Sequence, residues 1–245
     1  MGESKIRYAR QTSLPQLGEA GQETLARSHA LVIGLGGLGT PACLYLANSG
    51  VGLLTICDFD KVDETNLPRQ VLYAPGDIGE SKTRAAAAYL WARVPEAEIR
   101  EREGRLSEQE LRDLVAGVDV VLDCTDNFNS RTLINKVCAE AGKALVTGAA
   151  IRFEGQLSVF DFSRAKRPCY SCLYSAEDES LEDCAGQGIL APVVGTIGCM
   201  MATEAIKSLL GLDTDLNGKV WVYDALAGSS RTVRISPRAD CPVCS

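Results

Sequence analysis

The stretch from residue 30 to residue 70 constrains the fold of this chain more than any other. An apolar run, Ala30-Leu31-Val32-Ile33, leads into Gly34-Leu35-Gly36-Gly37-Leu38-Gly39 and then into a helical pattern. Glycines at 34, 36 and 39, with Gly37 in the same turn, permit a tight strand-to-helix connection. They also let backbone N–H groups approach a phosphate at the helix N-terminus. Asp58 closes the next apolar run about 20 residues on, where a strand-end carboxylate can accept hydrogen bonds from ribose hydroxyls. Asp60 and the block Thr65-Asn66-Leu67-Pro68-Arg69-Gln70 follow directly. A hydride-transferring enzyme has no need of Asn66, Arg69 and Gln70 beside its ribose carboxylate, whereas a triphosphate does. The segment is therefore expected to hold ATP and to support chemistry on its phosphates.

Two further groups extend this expectation. Lys82 falls in the first turn of an Ala-rich helix, where a cation opposes the helix dipole and so points to an anionic ligand. With Arg69 it can hold phosphate oxygens, the arginine as a planar fork and the lysine as a point charge. The run Asp123-Cys124-Thr125-Asp126-Asn127 follows a buried apolar strand, and the carboxyl ends of parallel strands are where doubly wound sheets place ligands. Asp126 can hold a magnesium ion bridging phosphates; helix capping by Asp126 or Asn127 is the alternative.

Periodicity predicts strands at 30–34, 53–57, 99–103, 118–122 and 144–147. Helices are expected at 18–27, 38–49, 81–94, 108–116 and 130–141. This alternation implies a doubly wound, Rossmann-like parallel sheet. Past residue 150 the pattern changes to strands at 156–161, 220–224 and 232–235 around a long helix at 193–210, as expected of added antiparallel strands. The whole reads as one domain, 1–245: an N-terminal arm (1–28), a nucleotide-binding part (29–150), and a C-terminal part (151–245) with an irregular crossover segment (163–190).

The chain has ten cysteines, of which Cys169/Cys172 and Cys241/Cys244 have CxxC spacing. Four thiolates on two such turns close a tetrahedral zinc site with no open position, so the metal would be structural. Cys43, Cys57, Cys124, Cys138 and Cys199 sit in apolar or helical surroundings and read as small hydrophobes. Cys184, beside glycine in the crossover segment, can act as a nucleophile, although Glu182 and Asp183 would tend to raise its pKa. The single histidine, His29, precedes the first strand, which excludes a Ser-His or Cys-His arrangement. A net charge of -7 argues against nucleic-acid partners. No apolar run is long enough to span a bilayer and no signal peptide is visible, so a cytoplasmic protein is expected.

Together these motifs resemble those of the MoeB/ThiF family, relatives of the ubiquitin-activating enzymes. The resemblance runs from Arg7-Tyr8-Ala9-Arg10-Gln11 through the glycine turn, the Asp58–Gln70 block, Lys82 and Cys124-Thr125-Asp126-Asn127. It continues through Ala149-Ala150-Ile151-Arg152, both CxxC pairs and Glu204-Ala205-Ile206-Lys207. Thr65 stands where the family usually has serine. The resemblance implies adenylation of the C-terminal Gly-Gly of a small ubiquitin-like sulfur-carrier protein, with ATP, Mg²⁺ and Zn²⁺ as cofactors. It further implies a homodimer in which Arg10 reaches the partner subunit's nucleotide. In the family's thiamine branch the cysteine matching Cys184 links covalently to the carrier; the stretch 149–156 looks closer to the molybdopterin branch. Without a rhodanese domain in this sequence, sulfur is expected from a separate donor, a cysteine desulfurase or rhodanese-type protein. Two rival readings are an NAD-dependent oxidoreductase and a non-catalytic zinc-stapled module. The phosphate-binding block speaks against the first, and the retention of Arg10, Arg69, Lys82 and Asp126 against the second.

Overall fold

The glycine turn lies at the centre of an eight-stranded sheet. The computed structural model describes residues 6–163, 168–174 and 188–245. Its elements, in chain order, are α1 (Ala9–Thr12), α2 (Gly18–Arg27), β1 (His29–Ile33), α3 (Gly39–Asn48), β2 (Leu53–Asp58), α4 (Lys82–Arg93), β3 (Glu98–Glu103) and α5 (Glu108–Ala116). They continue with β4 (Val120–Asp123), α6 (Phe128–Ala141), β5 (Ala144–Ile151), β6 (Glu154–Asp161), α7 (Tyr170–Leu173), α8 (Ala191–Leu209), β7 (Lys219–Asp224) and β8 (Ser229–Arg234). The strand order is β3-β2-β1-β4-β5-β6-β7-β8. Strands β1 to β5 pair in parallel, and β6, β7 and β8 add antiparallel. The chain is thus doubly wound in its first half and extended by an antiparallel run in its second, as the sequence predicts.

Strand residues alternate between two cores, because successive side chains leave opposite faces. Ala30, Val32, Val120 and Leu122 enter the cluster that carries α3, α4 and α8. Leu31, Val121 and Leu145 enter the one under α5 and α6. The central strands are buried on both faces, which is why they read as unbroken apolar runs. Both edges are different. The residues of β3 read Glu-Ile-Arg-Glu-Arg-Glu and are mostly exposed, and every residue of β8 is exposed. A charged edge discourages pairing with another sheet.

Several boundaries move from expectation. Val118 closes the turn after α5 through a bond to the Val115 carbonyl, and Asp119 accepts from the His29 amide at 2.8 Å, so β4 begins at Val120. Helix α8 starts at Ala191 with proline in its first turn, a position where the missing N–H costs nothing. Glu204, expected at a polar exit of that helix, is only 3% exposed and takes both Lys207 Nζ bonds, at 2.8 and 3.0 Å. The short α7 had no visible period in the sequence. Residues 164–167 and 175–187, most of the crossover segment and Cys184 with it, lie outside the described residues.

Candidate nucleotide site and four-cysteine cluster

Backbone contact fixes the glycine turn. Gly34 has φ +93°, and a Cβ there would come within 2.7 Å of the Cys124 carbonyl oxygen. A Cβ on Gly39 would come within 1.9 Å of the Gly34 oxygen. Only glycine allows the turn to fold back on itself and touch the end of β4. At Gly36 the nearest atom to such a Cβ is Gln70 Nε2, at 3.9 Å, so the space in front of this residue is open. Asp58 Oδ2 accepts from the Leu35 amide at 2.6 Å and Oδ1 from the Asp60 amide at 2.8 Å. Tyr73 donates its hydroxyl to the Leu35 carbonyl at 2.9 Å, so the main chain of Leu35 is held at both its amide and its carbonyl.

The block that follows β2 is a compact turn. Asp63 caps a 3₁₀ turn at Glu64–Asn66, with Asn66 bonding back to the Asp63 amide. The amides of Arg69 and Gln70 both bond the Asn66 carbonyl at 3.0 Å. Asn66 therefore spends its side chain on the turn, and Arg69 donates to the Thr65 carbonyl at 2.6 Å. Gln70 is buried, and among the described residues its Oε1 has no hydrogen-bond partner. Lys82 is buried at the start of α4, its Nζ 3.0 Å from Asp60 Oδ2, while the Asp60 side chain is half exposed. A desolvated ammonium with one half-exposed counter-charge has capacity for a further anion.

At the end of β4, Asp123 is buried and accepts from Thr125 N, Thr125 Oγ1 and Thr147 Oγ1. These bonds turn the chain so that Asp126 is exposed. Asn127, not Asp126, caps α6, accepting from Ser130 N at 2.9 Å. The capping role expected for one of the two thus falls on Asn127, leaving the Asp126 carboxylate available to a ligand. The ends of β1, β2 and β4 are adjacent in register, so the glycine turn, Asp58 and the Asp126 turn face one another. Asp123 and Arg131 were not singled out in the sequence; a lone arginine inside a helix carries no local signal.

Arg10 lies elsewhere. It is exposed on α1, and its neighbour Gln11 donates to the Ser49 carbonyl at 2.8 Å, at the far end of α3 from the glycine turn. A ten-residue helix is about 15 Å long, which separates Arg10 from the glycine turn of its own chain. His29 bonds Gly117 O and Thr55 Oγ1 at the amino ends of the strands, away from the site.

Cys169, Cys172, Cys241 and Cys244 place their sulfurs within 4.8 Å of one another, with pairs at 3.6 and 3.4 Å. Tetrahedral Zn–S bonds require sulfurs about 3.8 Å apart, so the cluster fits zinc. The Arg238 amide donates to Cys172 Sγ at 3.5 Å, the outer-shell support a thiolate ligand needs. The other thiols differ. Burial pushes Cys57 up to about 12 and raises Cys43, Cys124 and Cys138 as well, which keeps them protonated and inert.

Among the described residues no helix is long and apolar enough to cross a membrane. The fold is similar to that of E. coli MccB in its crystal structure with succinimide, with a TM-score of 0.84 at 22% identity, over 98% of this chain and 74% of that one. That likeness concerns the fold alone. Closer in sequence are the E. coli molybdopterin-synthase adenylyltransferase (41% identical over 98% of this chain and 96% of the relative) and the E. coli sulfur carrier protein ThiS adenylyltransferase (40%, over 98% and 94%). The mouse adenylyltransferase and sulfurtransferase MOCS3 is 43% identical over 98% of this chain but 52% of its own length, so the chain spans about half of that relative. The ThiF family model matches residues 8–243. A match over nearly the whole length, with relatives at this identity, means that the chain belongs to the ThiF family.

Proposed function

We propose that this protein is an adenylyltransferase that activates the C-terminal Gly-Gly carboxylate of a small ubiquitin-like sulfur-carrier protein with ATP. The observation that carries the reading is the buried Lys82 ammonium beside half-exposed Asp60, set next to the glycine turn. An NAD-dependent oxidoreductase, whose cofactor has a free ribose 2′-hydroxyl, needs no cation beside its ribose carboxylate, and a triphosphate does. The names of relatives that share the sequence end to end, molybdopterin-synthase adenylyltransferase and ThiS adenylyltransferase, support the same chemistry.

The carrier's terminal carboxylate is ionised at neutral pH, so no general base is needed. Its oxygen attacks the α-phosphorus of ATP, a carboxyl O–P bond forms, the bond to the bridging oxygen of the β-phosphate breaks, and pyrophosphate leaves. Two anions must be brought into line and the charge on the transferred phosphoryl group offset. Asp58 holds the ribose, the amides of Gly36, Gly37 and Gly39 meet the phosphates, and Arg69 and Lys82 neutralise their oxygens. For Arg69 and Lys82 this means exchanging the Thr65 carbonyl and Asp60 for phosphate. Asn66 and Gln70 shape the pocket wall, and Thr125 and Asn127 hold the Asp126 turn. Asp126 would hold a magnesium ion, which would supply further positive charge at the phosphates. Cys169, Cys172, Cys241 and Cys244 would hold zinc, which would supply structure, not reactivity.

The working unit is a homodimer in which Arg10 serves the site of the partner subunit, a reading supported by its position at the far end of α3. Sulfur then comes to the adenylated carrier from a separate donor protein.

The test is carrier-dependent exchange of labelled pyrophosphate into ATP, run with molybdopterin-type and thiamine-type carriers. The expected result is exchange with a carrier ending in Gly-Gly and none with the same carrier lacking its last glycine. Asp126→Ala should reduce the exchange rate by at least a hundredfold with its circular dichroism spectrum unchanged. Exchange at the wild-type rate in that variant excludes the metal role.

A further inference from the structure

Between the Asp126 turn and the four-cysteine cluster lies a buried polar chain that the adenylation chemistry does not use. Helix α6 supplies its middle. Arg131 and Asn135, one turn apart on the same face, are 9% and 0% exposed. Arg131 Nη2 donates to the Thr125 carbonyl at 2.5 Å, and Tyr170 lines the same small cavity as the guanidinium, near enough to feel its charge. Asn135 accepts from the Tyr170 amide at 3.0 Å and donates to Ser171 Oγ at 3.3 Å. Tyr170 and Ser171 are the two residues between the ligands Cys169 and Cys172. The CxxC turn therefore grips α6 at Asn135 by main chain and side chain, one helical turn from Arg131 and the Thr125 carbonyl it holds.

Aromatic packing makes this grip stiff. Phe128, in the first turn of α6, stands 5.9 Å from the Tyr170 ring and 6.1 Å from that of Tyr174, and those two tyrosines are 5.0 Å apart. Tyr174 in turn accepts from Gln156 Nε2 at 2.6 Å. A buried guanidinium is costly unless its partners are fixed. If the CxxC turn loosens, Tyr170 leaves Arg131 with the Thr125 carbonyl and the nearby Asp123 charge, and the Asp126 turn loses its outer support.

We propose that Tyr170 and Arg131 are positioning residues that couple the four-cysteine cluster to the Asp126 turn. Metal in the cluster then tightens the binding of magnesium-ATP. Coupling between two binding equilibria is reciprocal, so magnesium-ATP slows the loss of metal from the cluster. The inference rests on the adenylation reading, and it goes beyond a zinc that only staples the chain.

The experiment uses the full-length, zinc-loaded protein. Magnesium-ATP affinity is measured by calorimetry, and zinc release to a colorimetric chelator is timed with and without magnesium-ATP. In the wild type the nucleotide should slow release about fivefold or more, the lower end of ordinary coupling strengths. Tyr170→Phe keeps the ring and the ligand turn, so it should load zinc fully. It should bind magnesium-ATP about fivefold more weakly and release zinc at one rate whether or not nucleotide is present. Arg131→Lys, which keeps the charge but not the two-partner reach, should behave alike. Asp126→Ala controls for any direct action of nucleotide on the chelator. If both Tyr170→Phe and Arg131→Lys bind nucleotide as the wild type does and are protected equally, the coupling is overturned. A wild type that exchanges pyrophosphate yet releases zinc indifferently to ATP overturns the coupling alone. One that binds no ATP overturns the adenylation reading with it.

Discussion

At Gly39 the obstacle to a side chain is main chain, the Gly34 oxygen, which cannot rotate away. At Gly36 the space ahead is open up to Gln70. Two alanine substitutions in one turn should therefore fail differently. Gly39→Ala should cost about 1–3 kcal/mol or more in chemical denaturation, the range for forced overpacking. Gly36→Ala should leave the denaturation midpoint almost unchanged and weaken ATP binding by about tenfold or more, because its methyl fills the ligand's space. Equal losses of stability in both would contradict this geometry. The glycines and Asp58 could be read from the sequence because a tight turn demands a residue type at a fixed spacing. The burial of Lys82, its exchangeable partner Asp60 and the strut at Arg131 could not. Each depends on what the rest of the fold brings beside it, and no local pattern records that.

The CxxC helix α7 is four residues long, too short to be stable in isolation. Its order comes from the cysteine cluster and from the tyrosines that pack on α6. Cys241→Ser should lower the bound zinc well below one per chain and lower the thermal midpoint by several degrees, both measurable on freshly purified, reduced protein. Full zinc content with an unchanged midpoint would mean that the four sulfurs hold no structural metal. The central parallel strands β1 and β4 were legible because burial on two faces leaves mostly apolar residues. Strand β8 was placed late, at 232–235 instead of 229–234, because an exposed edge carries no alternation to read. Helix α7 gave no signal, since a metal-bound turn needs no hydrophobic period.

For the molecule as a whole, α1 and α2 sit at the ends of the helices far from the nucleotide site, and Gln11 bonds both Gln22 and the end of α3. If Arg10 acts across a dimer, Arg10→Ala and Asp126→Ala proteins should each be inactive alone. Mixed under conditions of subunit exchange, they should regain part of the wild-type exchange rate, because one site of the mixed dimer has both residues intact. Mixed dimers shown to form by mass spectrometry, with no activity regained, would rule out the cross-subunit role. The doubly wound class of the sheet could be read from the alternation of strands and helices along the chain. The assignment of Arg10 to a neighbour could not, because a surface arginine looks the same whether it meets water or another molecule.

The two halves of the cysteine cluster also set a timetable. Cys169 and Cys172 leave the ribosome before α8, β7 and β8 exist, and Cys241 and Cys244 follow every strand of the sheet. At about 5–20 residues per second, the first pair waits several seconds for the second. A chain that stops before residue 241 can thus contain every strand of the sheet while its last clasp is open. The clasp closes only when Cys241 and Cys244 join the first pair, so the order of synthesis makes it the last of these features to form.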